Sequence, residues 1–566
     1  MTDEKQLRIT VVGSPRRVAP ATEIRSLVPA GERSGPTAPL AAIYNNRLVS
    51  LSYRLRSGGD LRWVTMTDRA GWDVYRRSAS LMLYEAARRV DPRLRMVLHQ
   101  THGDALYYRV LRNGKTGEAS PVAPFGGEAC RELEAAMRAL RDEGIDFVVR
   151  QMSGDEARDL LRARGHHDKL FLLRTHWETS VRVVFCGEFM DLFHNPVAYD
   201  TGVIRSFRLT PYDPGFLLRV PVRGSAKVRG RAQVSRKLFD THVESLRWNR
   251  LLGVQNLGQL NALSVAGSMD EIIRVAEGVH EKKITSIADQ IAARRGRVRV
   301  VLIAGPSSSG KTTFVKRLEV QLRVNGIRPV ALSVDNFFVS RSKTPTDGQG
   351  RLDFECLEAL DLRLFNKVLT DLMKKGVARV PRYDFHAGAP TPPDTWERFQ
   401  VSPDQVILVE GIHGLNPLLT PAVPARSKFK IYISALTQLA LDEHNRIFTS
   451  DTRLIRRIVR DRRYRGYSAG DTLHRWPLVR RGEMRHIFPF QGQADVMFNS
   501  ALVYEHAVLK GFAERFLLEV DERDEAFSEA YRLLGFLHKI VPIFPDDVPH
   551  NSLLREFIGG SAFDYK

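Results

Sequence analysis

The chain has 566 residues, 43% hydrophobic and 27% charged, a composition that provides for several globular domains and excludes a disordered or fibrous protein. Its formal net charge is +20, so we expect it to attract anions such as nucleotides or RNA. A solvated basic surface would give the same charge, so the charge alone does not identify a partner.

The sequence predicts a cytoplasmic protein without membrane contact. Three cysteines, Cys130, Cys186 and Cys356, lie too far apart for a disulfide framework and indicate a reducing compartment. No apolar stretch has the length needed to span a bilayer, and residues 1–5 do not begin a signal peptide.

The first half predicts α+β domains followed by a helical connector. Residues 1–65 mix short apolar runs with Gly, Pro and Ser turns, which indicates a small strand-rich domain. Residues 66–222 alternate helix and strand, beginning with apolar residues at helical spacing over 70–95. A basic, glycine-containing stretch at 223–231 predicts a flexible joint, and the rest of 223–297 is mostly helical.

From residue 298 the pattern becomes apolar strands alternating with helices. Continuous apolar strands of this kind are typical of a parallel sheet covered on both faces. We therefore predict an α/β domain over 298–510 and a helical extension over 511–566. The predicted strands are Val298–Ala304, Val330–Val334, Val406–Val409 and Lys430–Ile433, with a helix at Thr312–Val324.

A phosphate-binding loop follows the first strand of this domain. Gly305–Thr312 fits G-x-x-x-x-G-K-[ST] between a buried strand and a helix, so its backbone N–H groups can surround phosphates. We predict that Lys311 reaches the β- and γ-phosphates of ATP and that Thr312 ligates Mg²⁺. The predicted nucleotide-binding residues are Gly305, Pro306, Ser307, Ser308, Ser309, Gly310, Lys311, Thr312 and Thr313.

Two acidic residues follow predicted strands and favour a kinase over a GTPase. Asp335 and Glu410 each end an apolar run, and the guanine-reading N-K-x-D motif is missing. Acids at the carboxyl ends of parallel strands lie beside the phosphates. We interpret Asp335 as the general base for an attacking hydroxyl and Glu410 as a metal ligand, although Asp335 could equally cap a helix.

An arginine-rich segment over 453–465 is the third feature. Arg453, Arg456, Arg457 and Arg460 fall on one helix face. On a closing lid such side chains would neutralise the transferring phosphoryl group. A solvated basic helix or an RNA-contacting face are the alternatives.

Taken in order, these motifs resemble the uridine kinase and phosphoribulokinase family, and uridine kinase more closely, over about residues 298–510. The resemblance implies a P-loop NTPase-type fold with ATP and Mg²⁺, Asp335 as base, Glu410 near Mg²⁺, and lid contacts from Arg457, Arg460 and Arg465. The motifs that carry it are the phosphate loop, Asp335-Asn336-Phe337-Phe338, Pro381-Arg382-Tyr383-Asp384-Phe385, Glu410-Gly411-Ile412, Arg456–Asp461 with Arg465-Gly466, and Ala494-Asp495-Val496.

The same resemblance implies the acceptor side of the site. Glu355, with its neighbour Asp353, matches the carboxylate that holds ribose hydroxyls, and Tyr383 matches the tyrosine that lies against the base. His386 is predicted beside them, one residue after the Tyr-Asp-Phe motif.

Three departures from the family pattern concern this acceptor pocket and leave the phosphoryl chemistry unchanged. Gly388 stands where the base-reading histidine would fall. Tyr467 stands where a second nucleoside-side arginine is expected. Position 355 is Glu where the family has Asp.

The front half resembles the amino-terminal region of threonyl-tRNA synthetase, with a ubiquitin-like TGS-type domain at 1–65 and an editing-type domain at 66–222. The family's metal-ligand positions fall on Arg77, Leu81, Phe193 and Val197, which ligate metal poorly, so we predict neither zinc nor aminoacyl-tRNA deacylation here. The residues carrying the resemblance are Arg76–Leu81, Tyr107-Tyr108, Asp191-Leu192, Pro196, Thr201-Gly202 and Ser206–Leu209.

Our leading prediction is transfer of the ATP γ-phosphate to the 5′-hydroxyl of a pyrimidine nucleoside. The alternatives are a kinase for another hydroxylated small molecule, such as a different nucleoside or a sugar phosphate, and a nucleotide-gated RNA-binding regulator that contacts RNA through its first half. The ending Pro549–Ser561 also resembles that of bacterial proteins combining these two halves, and we interpret it as docking against the kinase domain. No pattern predicts an oligomeric state.

Overall fold

A computed structural model gives the structure of the chain. His386, one of the predicted acceptor-side residues, lies outside the residues it describes. No helix within those residues is long and apolar enough to cross a membrane. The described residues are 6–32, 35, 37–102, 105–113, 119–122, 124–175, 177–228, 230, 235–348, 350–384 and 387–565.

The chain begins with a small five-stranded sheet in the order β2-β1-β5-β3-β4, in which β1 runs parallel to β5 and the other pairs are antiparallel. Alternate side chains such as Ile9, Val11 and Leu61 point into a common core. The strands are β1 (Leu7–Val11), β2 (Ser14–Val18), β3 (Ala41–Tyr44), β4 (Arg47–Ser50) and β5 (Gly59–Val64).

Two antiparallel sheets and four helices follow. The long helix α1 lies on them and buries most of its length. The sheet orders are β11-β10-β9 and β12-β13-β7-β6, with β8 paired to β7. The elements are α1 (Arg69–Val90), β6 (Leu94–His102), β7 (Ala105–Asn113), β8 (Ala119–Pro121), α2 (Gly127–Glu143), β9 (Phe147–Ser153), α3 (Gly154–Ala163), α4 (His167–Leu173), β10 (Ser180–Cys186), β11 (Phe189–Leu192), β12 (Arg208–Tyr212) and β13 (Gly215–Arg219).

Three helices connect this region to the second half. An Asn256/Gln259 capping box satisfies the first amides of α6, as the polar residues before its apolar run lead one to expect. One continuous apolar core passes from the β9–β11 sheet through α6 and α7 into the second half. The helices are α5 (Arg236–Leu251), α6 (Leu257–Val265) and α7 (Met269–Ala292).

The second half is built on a parallel sheet in the order β15-β20-β14-β21-β22. Every residue of β14 is buried, because apolar clusters cover both faces of the sheet. The predicted α/β fold class is therefore confirmed. Its elements are β14 (Val300–Ala304), α8 (Lys311–Val324), β15 (Pro329–Ser333), α9 (Leu362–Lys375), β16 (Val377–Val380), β17 (Tyr383–Asp384), β18 (Ala389–Pro390), β19 (Glu397–Gln400), β20 (Val406–Glu410), β21 (Lys428–Ser434), α10 (Thr449–Tyr464), α11 (Ala469–His486) and β22 (Val496–Asn499).

The chain ends in helices that pack against this sheet domain. The predicted domain boundary at residue 510 falls inside the first of these helices, so no loop separates two domains at that position. The domain ranges stay predictions. These helices are α12 (Glu505–Leu517), α13 (Phe527–Leu537) and α14 (Arg555–Ile558).

A buried ion network joins the two halves. Lys169, at the start of α4, is fully buried, and its ammonium lies 2.9 Å from Asp442 Oδ1 and 3.0 Å from Asp191 Oδ1. Asp442 belongs to the loop before α10, and His194 lies 3.1 Å from its other oxygen. Burial alone would raise the pKa of Asp442, but Lys169 and His194 hold it well below its usual value. The loop of the second half is thereby locked into the first.

We expect Lys169→Met to lower the free energy of unfolding by about 3–5 kcal/mol, because it leaves three buried carboxylates, those of Asp168, Asp191 and Asp442, without this counter-ion. Urea unfolding at neutral pH measures this. In the matched control Arg158→Met, the lost pair with Asp155 is exposed, and the expected change is below about 1 kcal/mol. Equal effects in both variants would show that the network does not stabilise the fold.

Candidate active site

The loop between β14 and α8 has the shape of a phosphate cradle. The backbone turns through left-handed conformations at Ser308 (φ 58°) and Gly310 (φ 80°). A Cβ on Gly305 would lie 2.1 Å from the Ile433 carbonyl oxygen, so only glycine fits there. Since Gly310 caps α8, the amides of the next residues lie in its first turn, where they lack intrahelical acceptors. The predicted loop residues thus form one positively polarised helix start.

The polar groups inside this loop suit a triphosphate. The hydroxyls of Ser308 and Ser309 are buried, and neither has a hydrogen-bond partner within the described parts of the chain. The Lys311 ammonium donates to the Pro306 carbonyl at 3.3 Å, a weak contact that an anion can replace. Buried donors without acceptors are what a phosphate group would satisfy. The loop therefore fits a phosphate group.

The sheet register brings both predicted acids to the same edge as the loop. Glu410 on β20 is paired with Ile303 on β14 and with Ser333 on β15. Asp335 lies two residues beyond Ser333, whose hydroxyl accepts its backbone N–H at 3.3 Å. Lys311 is the leading positive charge acting on both carboxyls. The structure thus brings together Lys311, Asp335 and Glu410.

The cleft raises the pKa of both carboxyls. Burial raises the pKa of Glu410 to about 7, with Lys311 opposing the shift and the charge of Asp335 adding to it. Asp335 has an exposed side chain, yet desolvation by the surrounding protein also raises its pKa, against Lys311, Arg465 and Arg460. Carboxyls with raised pKa values in a cleft are typical of sites that accept protons or bind metal ions.

The three predicted lid arginines all pair with one buried residue, Asp461. Two of them, Arg460 and Arg465, also act electrostatically on Asp335. Arg457 and Arg460 donate to Asp461 at 3.1 and 3.0 Å, and Arg465 lies 3.7 Å from it. The three arginines hold the pKa of Asp461 below its usual value although burial would raise it. A second nitrogen of Arg457 donates to the Ser307 hydroxyl at 2.8 Å. The cluster therefore touches the phosphate loop directly.

Arg453 and Arg456, the other two arginines predicted on that helix face, are buried in the core. The prediction that all four arginines share a lid face is therefore wrong for these two. Arg453 pairs with Glu483 on α11 and donates to the Ser307 carbonyl at 2.9 Å. Arg456 pairs with Glu505 at 2.6 Å. Helical spacing placed these arginines on one face, but it contains no information about acids 30 and 49 residues further along the chain. Sequence reasoning missed Glu483 for that reason.

An aromatic wall and two carboxylates form the predicted acceptor side. The Phe338 ring lies 5.7 Å from the buried Tyr383 ring and 6.1 Å from Phe354. Asp353 accepts the backbone N–H of Glu355 at 3.0 Å and orients it. The pattern of apolar and polar residues in the sequence did not predict the contacts of the Phe338 ring with Tyr383 and Phe354.

Glu355 is enclosed between the acceptor side and α11. It packs so closely on Gly482 that a Cβ there would lie 2.2 Å from its own. Burial, and then the charge of Glu483, raise the pKa of Glu355 to about 7, against Arg457 and Lys311. Glu355 therefore belongs to the same electrostatic cluster as the phosphate loop.

At the departures from the family pattern, arginines lie next to the substituted positions. Gly388 adopts φ 67°, and the Arg341 side chain fills the space that a side chain at 388 would take. The Arg475 guanidinium lies 3.9 Å from the centre of the Tyr467 ring. An arginine side chain therefore contacts each of these two substituted positions.

In the first half, the positions aligned with metal ligands are packed or hydrogen-bonded. Arg77 donates to the Pro196 carbonyl, and burial lowers its pKa to about 10. Leu81 and Val197 are buried in the surrounding apolar core. Asn445, from the loop of the second half, reaches in to donate to Asp191 at 3.1 Å. The prediction of no zinc rests on the poor ligand chemistry of these side chains.

The comparisons with known proteins relate the two parts of the chain to different proteins. Residues 300–505 match the family model described as the Phosphoribulokinase / Uridine kinase family. The predicted resemblance to this family is therefore confirmed over these residues.

The first part of the chain is similar to threonine–tRNA ligases. The relative from Carboxydothermus hydrogenoformans is 28% identical over 172 residues, covering 30% of this chain and 26% of the ligase. The relative from Methylococcus capsulatus is 28% identical over 188 residues, covering 32% and 28%. The chain therefore spans only about a quarter of the length of these two relatives.

Among solved structures, a possible uridine kinase from Bacillus stearothermophilus is 20% identical, covers 38% of this chain and 98% of its own, and has a TM-score of 0.26. D-glycerate 3-kinase from Cryptococcus neoformans is 15% identical, covers 47% and 89%, and has a TM-score of 0.22.

The raised pKa of Glu355 predicts a pH-dependent cost to stability. The pKa of Glu355 is about 7 in the folded protein and 4.5 ordinarily, because burial disfavours the ionised carboxylate. Ionisation of Glu355 therefore lowers the free energy of unfolding progressively from about pH 4.5, and the loss is complete above about pH 7. We expect Glu355→Gln to increase the free energy of unfolding by about 2 kcal/mol at pH 8, and by less than about 1 kcal/mol at pH 5. Urea unfolding at both pH values measures the difference.

The control is Glu397→Gln, an exposed residue of β19, for which we expect no pH-dependent gain. A gain for Glu355→Gln that is the same at pH 5 and pH 8 would contradict the raised pKa.

Proposed function

From the family match of residues 300–505, we propose that the chain is an ATP-dependent kinase that phosphorylates the 5′-hydroxyl of a pyrimidine nucleoside in the cytoplasm. The observation that carries the proposal is the placement of Asp335 and Glu410 at neighbouring strand ends beside Lys311. The three cysteines are buried thiols, which suits a reducing compartment.

The phosphate loop would hold the donor. Loop amides, the Ser308 and Ser309 hydroxyls and the Lys311 ammonium would bind its phosphates, and Thr312 and Glu410 would hold Mg²⁺. Bound Mg·ATP supplies the γ-phosphoryl group and the charge neutralisation that its transfer requires. Lys311 and the arginine cluster on Asp461 keep positive charge around that position.

Asp335 would take the acceptor proton. Its side chain is exposed just beyond the end of β15, at the sheet edge that carries the loop. The cleft raises its pKa, which makes the carboxylate a stronger base, while Lys311 and the arginines keep it ionised. A hydroxyl held within hydrogen-bond distance of Asp335 would give its proton to the carboxylate as its oxygen bonds to the γ-phosphorus, and the bond from that phosphorus to the bridging oxygen would break to release ADP.

The acceptor would lie between Glu355 and the aromatic wall. Glu355 would accept hydrogen bonds from vicinal sugar hydroxyls, and the rings of Phe338 and Tyr383 offer a surface for a flat base. Arg341 beside Gly388 would also suit a phosphorylated sugar, which is the alternative acceptor class. A screen of nucleosides and sugar phosphates with purified protein, monitored by ADP release, separates the two. Phosphorylation of sugar phosphates alone would overturn the nucleoside assignment.

We expect Asp335→Asn to lower kcat by about 10²- to 10⁴-fold, because it removes the general base while keeping the side-chain shape. Affinity for Mg·ADP should change by less than about threefold, since the loop is untouched. The control Asp394→Asn removes an exposed acid and should keep full turnover. Full turnover in Asp335→Asn would remove the base assignment.

A second candidate function, RNA binding, is favoured by a cleft between the halves. The cleft has a volume of about 2810 Å³, and basic side chains outnumber acidic ones along its wall. Aromatic residues such as Tyr53, Trp177 and Phe488 lie among them, a combination typical of single-strand binding surfaces. The threonine–tRNA ligase similarity of the first part agrees with an RNA partner.

If the cleft binds RNA, replacing Arg54, Arg56 and Arg62 with serine should weaken binding of a single-stranded oligonucleotide. The slope of log K against log salt should fall by about 2, since each phosphate contact contributes about 0.7. Fluorescence anisotropy over a salt series measures this. The control replaces three exposed arginines away from the cleft, Arg323, Arg363 and Arg426. Equal losses in both triple variants would indicate only non-specific attraction.

A further inference from the structure

The last residues of the chain lie directly on the phosphate loop. We call Pro549–Tyr565 the C-terminal strap. Leu553 packs against the loop so closely that a Cβ on Gly310 would lie 2.2 Å from its side chain. Glu556 accepts hydrogen bonds from the Thr313 hydroxyl at 2.8 Å and from the Thr313 backbone N–H at 3.2 Å. The Tyr565 hydroxyl lies 3.0 Å from the same threonine oxygen.

Thr313 is part of the anion-binding start of α8. Its N–H belongs to the first turn of the helix, whose amides have no intrahelical acceptor and favour negative charge. In the strap-bound arrangement, the anion at this amide is the Glu556 carboxylate. Thr313 is also one of the predicted nucleotide-binding residues, one position beyond Thr312. Glu556 therefore occupies two donors that a phosphate of the nucleotide would use.

The rest of the strap is anchored in the protein, whereas the Glu556 side chain points to Thr313 at the start of α8. Phe557 is fully buried beneath the Arg456 guanidinium, and the Ser552 hydroxyl donates to Glu277. Arg555 donates to the carbonyls of Val548 and Pro545. Glu556 itself is only partly buried. Rotation of this one side chain can free the Thr313 backbone N–H without detaching the strap.

The charge of Glu556 also acts on Glu410, the predicted metal ligand. It is one of the negative charges that raise the pKa of Glu410. A further carboxylate acting on Glu410 makes this end of the sheet more negative, where the donor's phosphates would lie. A nucleotide would be repelled by Glu556 in its present position.

We propose that Glu556 is a built-in competitor of the donor nucleotide. It occupies Thr313 while the loop is empty, and the phosphate nearest the nucleoside displaces it on binding. This inference rests on the nucleotide site of the proposed function and not on the identity of the acceptor. The strap thus sets how tightly the loop holds a nucleotide.

The test is calorimetric titration of the full-length protein with Mg·ADP and with magnesium pyrophosphate at about 0.15 M salt, where the Debye length is about 8 Å. Glu556→Gln keeps the shape of the side chain and removes its charge. We expect it to lower the Kd for Mg·ADP about tenfold. Pyrophosphate can bind near Lys311 without reaching Thr313, so its Kd should fall by less than about threefold. The control Asp547→Asn removes an exposed charge from the segment just before the strap and should change neither Kd.

An unchanged or higher Kd for Mg·ADP in Glu556→Gln overturns the proposal, provided that its urea unfolding matches the wild type. An equal fall in the Kd for Mg·ADP and for magnesium pyrophosphate also overturns it. Such a result would show that removing any negative charge near the loop favours anions, without competition at Thr313. If no form of the protein binds nucleotide, both this inference and the proposed function fail. If ADP tightens as expected but no acceptor is phosphorylated, the competitor role stands and only the proposed function fails.

Discussion

The backbone ladder between β15, β20 and β14 is the constraint on which the candidate site depends. It pairs Glu410 with Ile303 on one side and with Ser333 on the other, so both acids and the phosphate loop are positioned by main-chain hydrogen bonds. Moving any one of them along the sheet would break buried hydrogen bonds and turn apolar side chains away from the core. Side-chain packing then adds only the fine placement of Lys311 and the arginines.

The sequence was sufficient for the features determined by local pattern. Strand–loop–helix order, the glycine positions and acids that follow apolar runs predicted the loop, Asp335 and Glu410, and the structure brings these groups together. The parallel sheet and the helical connector also follow from periodicity, which reports burial over neighbouring residues. Such signals carry no information about which helix a side chain meets across the core.

The features that sequence reasoning missed therefore involve partners far apart in the chain. Arg453 and Arg456 occupy buried ion pairs because their acids come from α11 and α12. The acceptor wall is assembled from loops and very short strands, where neither helical nor strand periodicity applies. The docking of the ending was expected from resemblance, but the contact between Glu556 and Thr313 appears only when the chain is folded.

The Lys169–Asp442 contact has a consequence for how this chain can be divided. Asp442 sits in the loop that leads into α10, the helix whose Arg453 and Arg457 hold Ser307. A fragment that starts at the phosphate-loop strand would carry that loop without its buried cation. Separating the two halves would therefore leave a buried charge without its counter-ion on each side of their junction.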